Sequence, residues 1–353
     1  MGIFSAGSNI SDTSGGFLEN VSVDKLVIGT PTPAPVGANN GFASGGYPPS
    51  FATASNEINK FPFAQTSGTA TDVGDLSTAR GGQSSQSNIP GGTCFNVSGP
   101  TGYISQVNVI DKFPNAISSG TATDIGDVSV TRANSSGHES TTHGFTAGGS
   151  YYTNQYNTID KFPFSQTSGV ATDVGDIGPS PSSKYIHGTG VTDDVGQNAF
   201  ADGGYPNAPV QNTGIVKFPF AQTSGVASTV GSLSAWKYGH YNCYSQTESF
   251  AAAGYNPPSD TYTTSIHKYP FSISSGSSTD VGDLSSHFRY TGGMSGDNDG
   301  FAGGAQAGTP LAPVPNGRSL TIHKFPYSIS SGTGTTIGSL AGIDRSSVAG
   351  NEG

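Results

Sequence analysis

The sequence predicts an all-β chain folded as a six-bladed β-propeller with four antiparallel strands per blade. Two observations carry this. A Lys-(Phe/Tyr)-Pro core recurs at Lys60, Lys112, Lys161, Lys217, Lys268 and Lys324, with successive lysines 49 to 56 residues apart. A repeat at that pitch marks a solenoid, array or propeller. The second observation is that no 3.6-residue apolar period extends over a helix length, while Gly, Ser and Asn turns separate short apolar runs.

Each repeat reads as four strands. The first is apolar and ends in small residues, as in Gly41-Phe42-Ala43-Ser44-Gly45-Gly46 and Gly144-Phe145-Thr146-Ala147-Gly148-Gly149. Residues this small let backbones approach closely, which places this strand at a crowded ring axis. The second carries Ile-x-Lys-Phe-Pro, and its proline, which cannot donate to a ladder, ends it. The third is Thr-Asp-Val-Gly-Asp-Leu after a Ser-Gly turn, as at Thr71 to Leu76. The fourth follows a basic residue, Arg80, Arg132, Lys184, Lys237, Arg289 or Arg345, and is rich in Ser and Gly.

Residues 1–40 break the repeat. Val21 to Ile28 is strongly apolar and Pro31 to Pro35 is too proline-rich for ladder strands. The chain therefore divides into residues 1–40, an N-terminal attachment segment or partial blade, and residues 41–353, the propeller. The C-terminal strand near Arg345–Val348 has no glycine strand after it. It is expected to pair with the unit starting at Gly41 and close the ring, removing the open edges. The alternative is seven blades, with residues 2–28 supplying a partial one.

Glycine is abundant, 52 of 353 residues, and charged residues make up only 11%. The aromatics, 10%, sit at fixed repeat positions, a phased supply that disordered chains lack. The net charge of −10 is spread without a basic stripe, which argues against a nucleic-acid partner. No apolar run approaches the length of a membrane-spanning helix, and residues 1–8 lack the charge and apolar core of a secretory signal. Cys94 and Cys243 fall at different repeat positions and read as two buried thiols.

Chemistry-bearing constellations are few. The paired acids Asp72/Asp75, Asp124/Asp127, Asp173/Asp176 and Asp280/Asp283 lack the tight alternation of a calcium loop, and two repeats drop them. They read as turn acids bonding local amides. His267 and His323 replace Asp111 and Asp160 in equivalent strands, which suggests a solvated position. His138 and His143 have no evident third ligand. No catalytic, metal or cofactor residue is assigned, and the expectation is a non-enzymatic protein. The six basic residues allow two readings: a ring of cations receiving an anionic ligand, or strand-start residues bonding the carbonyls or acids of a neighbouring blade. The candidate binding surface is aromatic: Tyr47, Tyr151, Tyr152, Tyr205, Trp236, Tyr238, Tyr255 and Tyr290, with Tyr156, Tyr262, Tyr241 and Phe288 nearby. Tyrosine and tryptophan suit wet interfaces because a rigid apolar body carries a polar tip. Hairpin packing between blades is the other reading of these rings.

The order basic residue–strand, Gly-Gly strand, strand, strand resembles the Kelch repeat, although the fourth-strand tryptophan of that repeat is missing and Trp236 lies elsewhere in the unit. The wording Lys-Phe-Pro-Phe…Ser-Gly-x-Ala-Thr-Asp-Val-Gly-Asp-Leu resembles a Kelch-like repeat family in virion proteins of marine tailed phages, over residues 41–345. That resemblance implies a virion surface or tail-appendage component, extracellular, present in multiple copies, and binding other virion proteins or a host-surface glycan without membrane insertion. A lectin-like propeller and a glycan-active propeller enzyme are the alternatives.

Overall fold

The computed structural model describes residues 39–47, 53–101, 105–151, 154–179, 189–193, 197–204, 212–256, 261–307, 318–341 and 349–352. These residues contain no helix, so none is long and apolar enough to cross a membrane. Their strands form six antiparallel four-stranded blades arranged as a β-propeller. From inner to outer strand, blade 1 is Ala349–Glu352, Asn40–Ser44, Glu57–Pro62 and Thr71–Asp75. Blade 2 is Ser84–Asn88, Thr93–Pro100, Gln106–Pro114 and Thr123–Asp127; blade 3 is Ser136–Glu139, His143–Ala147, Thr158–Pro163 and Thr172–Asp176. Blade 4 is Thr189–Asp193, Asn198–Asp202, Gly214–Pro219 and Ser228–Ser232; blade 5 is Tyr241–Tyr244, Glu248–Ala252, Ser265–Pro270 and Thr279–Asp283. Blade 6 is Gly292–Ser295, Asp299–Ala307, Arg318–Pro326 and Thr335–Ser339, with the two-residue addition Phe288–Arg289.

The ring closes by mixing the chain ends. Ala349–Glu352 pairs with Asn40–Ser44, in the register Gly41↔Glu352 to Ser44↔Ala349. The closing strand thus lies just beyond Arg345–Val348, which falls outside the described residues, as does the expected attachment segment but for its last two residues. Six blades leave no gap for a seventh, because a backbone joint spans every interface. At each one, an outer strand bonds the Ser-Gly turn of the next blade. Asp75 N donates to Gly120 O at 2.8 Å and Ala122 N donates to Asp75 O at 2.7 Å. The same pair recurs at Asp127, Asp176, Ser232 and Asp283, and Ser339 joins blade 6 to blade 1 through Gly68 and Ala70. This joint explains the Val-Gly-Asp wording. Gly74 has φ +147° and a Cβ there would stand 2.4 Å from Gly120 O. The acid before it holds the glycine locally: Asp72, Asp124, Asp173 and Asp280 each accept the amide of the glycine two residues on.

The glycine-ended strand is second from the axis, which corrects the expectation that it lines it. The innermost strand is the Ser/Gly-rich one, and each lies beside its counterpart in the next blade all round the ring. Register against the second strand makes Ser85, Gly137, Gly190, Asn242, Gly293 and Gly350 equivalent. Space forces the glycines: a Cβ on Gly293 would sit 2.1 Å from Asn242 O, and one on Gly350 2.3 Å from Gly293 O.

Apolar packing is divided into six layers, one per blade interface. The Phe-Pro-Phe wording builds them. The aromatic after the proline stacks on the second-strand phenylalanine of the preceding blade: Phe164 on Phe95 at 4.8 Å, Phe220 on Phe145 at 5.4 Å, Phe271 on Phe200 at 5.3 Å, Tyr327 on Phe250 at 5.0 Å and Phe63 on Phe301 at 4.3 Å. Blade 2 has Asn115 there, and keeps the contact made by the aromatic before the proline in the other blades too, Phe113 edge-on to Phe42 at 5.6 Å. Lys60, Lys112, Lys161, Lys217 and Lys324 lie over the second-strand ring of their own blade, and three of the repeat lysines also donate to the next blade, as Lys161 Nζ does to Phe220 O at 2.9 Å. Cys94 and Cys243 are buried free thiols, which burial pushes well above the usual thiol range.

Candidate functional site

Three of the basic residues that precede inner strands, Arg80, Arg132 and Lys237, are structural. Arg80 and Arg132 are fully buried, with Nη2 at 2.9 Å from Asp111 and 2.7 Å from Asp160, and each also donates to a second-strand carbonyl, Asn96 O and Thr146 O. The partners belong to the same blade, not to a neighbour as the sequence reading has it. Lys237 is also buried and donates to Ala253 O, Ser265 O and the hydroxyls of Thr263 and Ser265. Burial pushes its ammonium down to about 7. These three cannot form a cationic ring open to a ligand; Lys184 and Arg345 lie outside the described residues.

The third-strand position held by Asp111 and Asp160, the partners of Arg80 and Arg132, is buried in the other blades as well, which overturns the solvated reading of His267 and His323. Asn59, Asp111 and Asp160 are 0% exposed, His267 3% and His323 2%. Each grips the chain arriving from the preceding blade. Asp111 accepts Ser77 N, Asp160 accepts Ser129 N and Asn59 accepts Ala341 N, while His267 and His323 bond Ser234 Oγ and Ser285 Oγ. Burial holds both imidazoles neutral, His267 near 3 and His323 near 4.

Blade 6 departs from the series. With His323 in place of the acid, Arg289 lies against three tyrosines instead. Its guanidinium carbon is 5.3 Å from the ring centre of Tyr255, 5.1 Å from Tyr262 and 4.9 Å from Tyr290. Tyr238 completes the group, edge-on to Tyr290 at 5.4 Å and to Tyr255 at 6.4 Å, and the Tyr290 hydroxyl donates to that of Tyr238. Two features hold the rings. Tyr255–Asn256 and Thr261–Tyr262 form a short hairpin on blade 5, and Tyr238 and Tyr255 exchange backbone hydrogen bonds at 3.0 and 2.9 Å. All five side chains are half-buried, so the patch presents aromatic edges around one cation on the face that carries the crossovers between blades. Burial pushes the Tyr290 phenol well above its usual range, so the ring stays neutral there.

The structure therefore gathers Tyr238, Tyr255 and Tyr290 of the predicted aromatics, and disperses others. Tyr47 is buried and donates to Pro100 O at 2.6 Å, a joint between the first two blades. Trp236 is 8% exposed and its Nε1 donates to Gly204 O at 2.9 Å, so it packs a crossover. Tyr241 is fully buried and Phe288 packs on His323. Tyr151 is half-buried on the hairpin Ser150–Tyr151/Asn154–Gln155 of blade 3. Tyr152 and Tyr205 lie outside the described residues. Sequence reasoning missed Arg289 as the centre of the group. Its signal was the Asp-to-His change at 323, which removes the acid that Arg80 and Arg132 have at that position.

Among the described residues no three His, Cys, Asp or Glu side chains converge as a metal site. His138 is buried in an inner strand, bonded to Ser136 Oγ and Val191 O, and burial pushes it down to about 4. His143 bonds Thr142 Oγ1 in a turn. No protein-family model matches the chain, and neither does any curated protein.

Proposed function

We propose that the chain is a non-enzymatic binding protein, whose propeller is a rigid platform presenting the Tyr238/Tyr255/Tyr262/Tyr290–Arg289 patch to another protein. The observation that carries the reading is the patch itself. Tyrosine and arginine are the residues enriched at energetically important points of protein interfaces, and these are already held in place, so little ordering remains to be done on binding. Its setting agrees, since the buried cations, acids and imidazoles of the other blades are committed to packing. The likeness of the repeat wording to phage virion proteins supports the finer reading: a virion surface or tail-appendage component, extracellular, in multiple copies, with virion proteins as partners.

The experiment has two arms. Locating the chain by peptide mass spectrometry in purified particles and in host cytosol tests the placement; a chain confined to the cytosol contradicts it. The double variant Tyr255→Ala/Tyr262→Ala tests the patch. Binding to a copurifying partner is expected to fall while the melting temperature stays within a few degrees of the parent's. Binding unaffected by the variant contradicts the patch. A second reading is a lectin, favoured by the exposed edges of these partly buried rings, which suit contact with sugars. A glycan array whose hits vanish in the same double variant would establish it.

A further inference from the structure

A buried cation lies at the root of the tyrosine patch. Lys237 is 0% exposed, and its Nζ donates to Ala253 O at 3.1 Å, Thr263 Oγ1 at 3.3 Å, Ser265 O at 2.8 Å and Ser265 Oγ at 2.9 Å. Ala253 stands two residues before Tyr255, Thr263 follows Tyr262, and Tyr238 follows Lys237 itself. One nitrogen thus ties both ends of the Tyr255–Asn256/Thr261–Tyr262 hairpin to the segment that carries Tyr238. All four accepting atoms are neutral. Arg80 and Arg132 have an acid on the third strand, but blade 5 has His267 there. No ion pair therefore offsets the burial of this ammonium, which pushes it down to about 7.

The backbone at the same root is strained. Ala253 has φ +61°, in the left-handed region that is costly for a residue with a Cβ. At the equivalent place in blades 1, 3 and 4, Gly45, Gly148 and Gly203 adopt φ of 63°, 66° and 61° without that cost. The carbonyl of the strained residue is the one that accepts both Lys237 Nζ and Thr263 Oγ1, at 3.1 and 3.0 Å. Side-chain bonds thus hold the root against its own backbone. Loosening it relieves the strain and returns the ammonium to water.

We propose that Lys237 is the positioning residue of the tyrosine patch and acts as a proton-linked clamp: the hairpin root is held most firmly by the neutral amine and loosens as the nitrogen takes up a proton. The closed root fits the amine, whose two N–H bonds go to Ala253 O and Ser265 O while the Ser265 hydroxyl turns its proton to the lone pair. In the loosened form the nitrogen regains its ordinary value of 10.5. Between about 7 and 10.5 that form holds more protons than the closed one, so loosening is favoured as pH falls toward 7 and suppressed as it rises. The titratable groups around the nitrogen are His267, neutral throughout this window, Asp280 and Asp283 on the outer strand, Asp202 of blade 4, which His240 bonds at 2.7 Å, and Tyr262 on the hairpin. The consequence, tighter binding above neutral pH, rests on the patch being the binding surface; the clamp is tested without a partner, so either can fail without the other.

The test is hydrogen exchange of the full chain at the amides of Tyr238, Tyr255 and Thr263, which bond Tyr255 O, Tyr238 O and Gly254 O. Their protection factors are expected to rise from about pH 7 to about pH 9, by up to about tenfold per pH unit for one linked proton. The amide of Ala122, bonded to Asp75 O in the joint of blades 1 and 2, is expected to stay flat. Lys237→Met, similar in length and uncharged, is expected to lower protection at the three amides and to abolish its slope with pH. A purely structural lysine would lower protection in the variant but give the parent no slope. A parent profile that changes less than about twofold over that range overturns the proposal. So does an equal slope at Ala122, or a slope that persists in Lys237→Met. Should Lys237→Met fail to fold, Lys237→Arg, charged across the whole range, is expected to be flat, and a slope there overturns the proposal.

Discussion

Asp160 and Arg132 form a fully buried ion pair at 2.7 Å, and the same carboxylate oxygen takes the amide of Ser129 at 3.0 Å. One side chain thus satisfies the cation that starts an inner strand and anchors the crossover arriving from the preceding blade. Asp111 does the same for Arg80 and Ser77. Burial costs such a pair much of its attraction, and pushes Asp160 up and Arg132 down from their ordinary values.

Removing one partner is therefore expected to hurt more than removing both. Arg132→Met leaves a buried carboxylate and should cost about 3–5 kcal/mol, while Arg132→Met/Asp160→Leu should recover much of that. Urea denaturation of the parent, the single and the double variant measures it. A double variant less stable than the single contradicts the account.

The interlayer stacks make a second quantitative point. Phe164 is 5% exposed and stacks on Phe95 across the interface of blades 2 and 3. Phe164→Ala is expected to destabilise by about 3–5 kcal/mol. Calorimetric melting reads this, and a loss below about 1 kcal/mol would place the ring outside the core.

How far the sequence showed this fold depends on the residue. The outer strand Thr71–Asp75 and its repeats were legible because the Ser-Gly turn and Val-Gly-Asp glycine are backbone requirements. The inner strand was not recognised as axial because its six copies share no side-chain pattern: even the crowded position that is glycine in four of them is Ser85 and Asn242 in the others. Asn59 and His267 were misread for a different reason. Blade strands are covered on both faces, so Asn59 is as buried as its neighbour Ile58 and alternation carries no signal. In the binding surface, Tyr255 and Tyr290 were legible as loop aromatics, whereas Trp236 was not separable from them until its bond to Gly204 placed it in a crossover.

Axial crowding predicts a position where the smallest change matters. Gly293→Ala places a methyl against Asn242 O and is expected to cost about 1–3 kcal/mol, with the inner strands forced apart. Hydrogen exchange across Tyr241–Tyr244 and Gly292–Ser295 should rise. Unchanged protection there would show that the strands are farther apart than described.

Stability should fall in mild acid. Burial depresses His138, His267 and His323 from 6.5 to about 4, 3 and 4. The unfolded chain binds these protons first, so the stability present above pH 6.5 is lost as pH falls toward 4. Glu352 works oppositely. Raised by burial from 4.5 to about 7, it favours the fold below 4.5 and loses that contribution as pH rises through 7. Between 4.5 and 6.5 three imidazoles outweigh one carboxyl, so the melting temperature should drop on acidification, and drop more steeply in Glu352→Gln. A flat profile contradicts the buried, neutral imidazoles.

Six blades form a ring closed by the C-terminal strand, and truncation before Ala349 tests that closure most directly. Without Ala349–Glu352, blade 1 loses its inner strand, and Asn40–Ser44 becomes an open edge. Hydrogen–deuterium exchange of the truncated and full chains is predicted to show lost protection across Asn40–Ser44 and a lowered melting temperature. Full protection of Asn40–Ser44 in the truncated chain, at an unchanged melting temperature, would mean that another segment closes the ring.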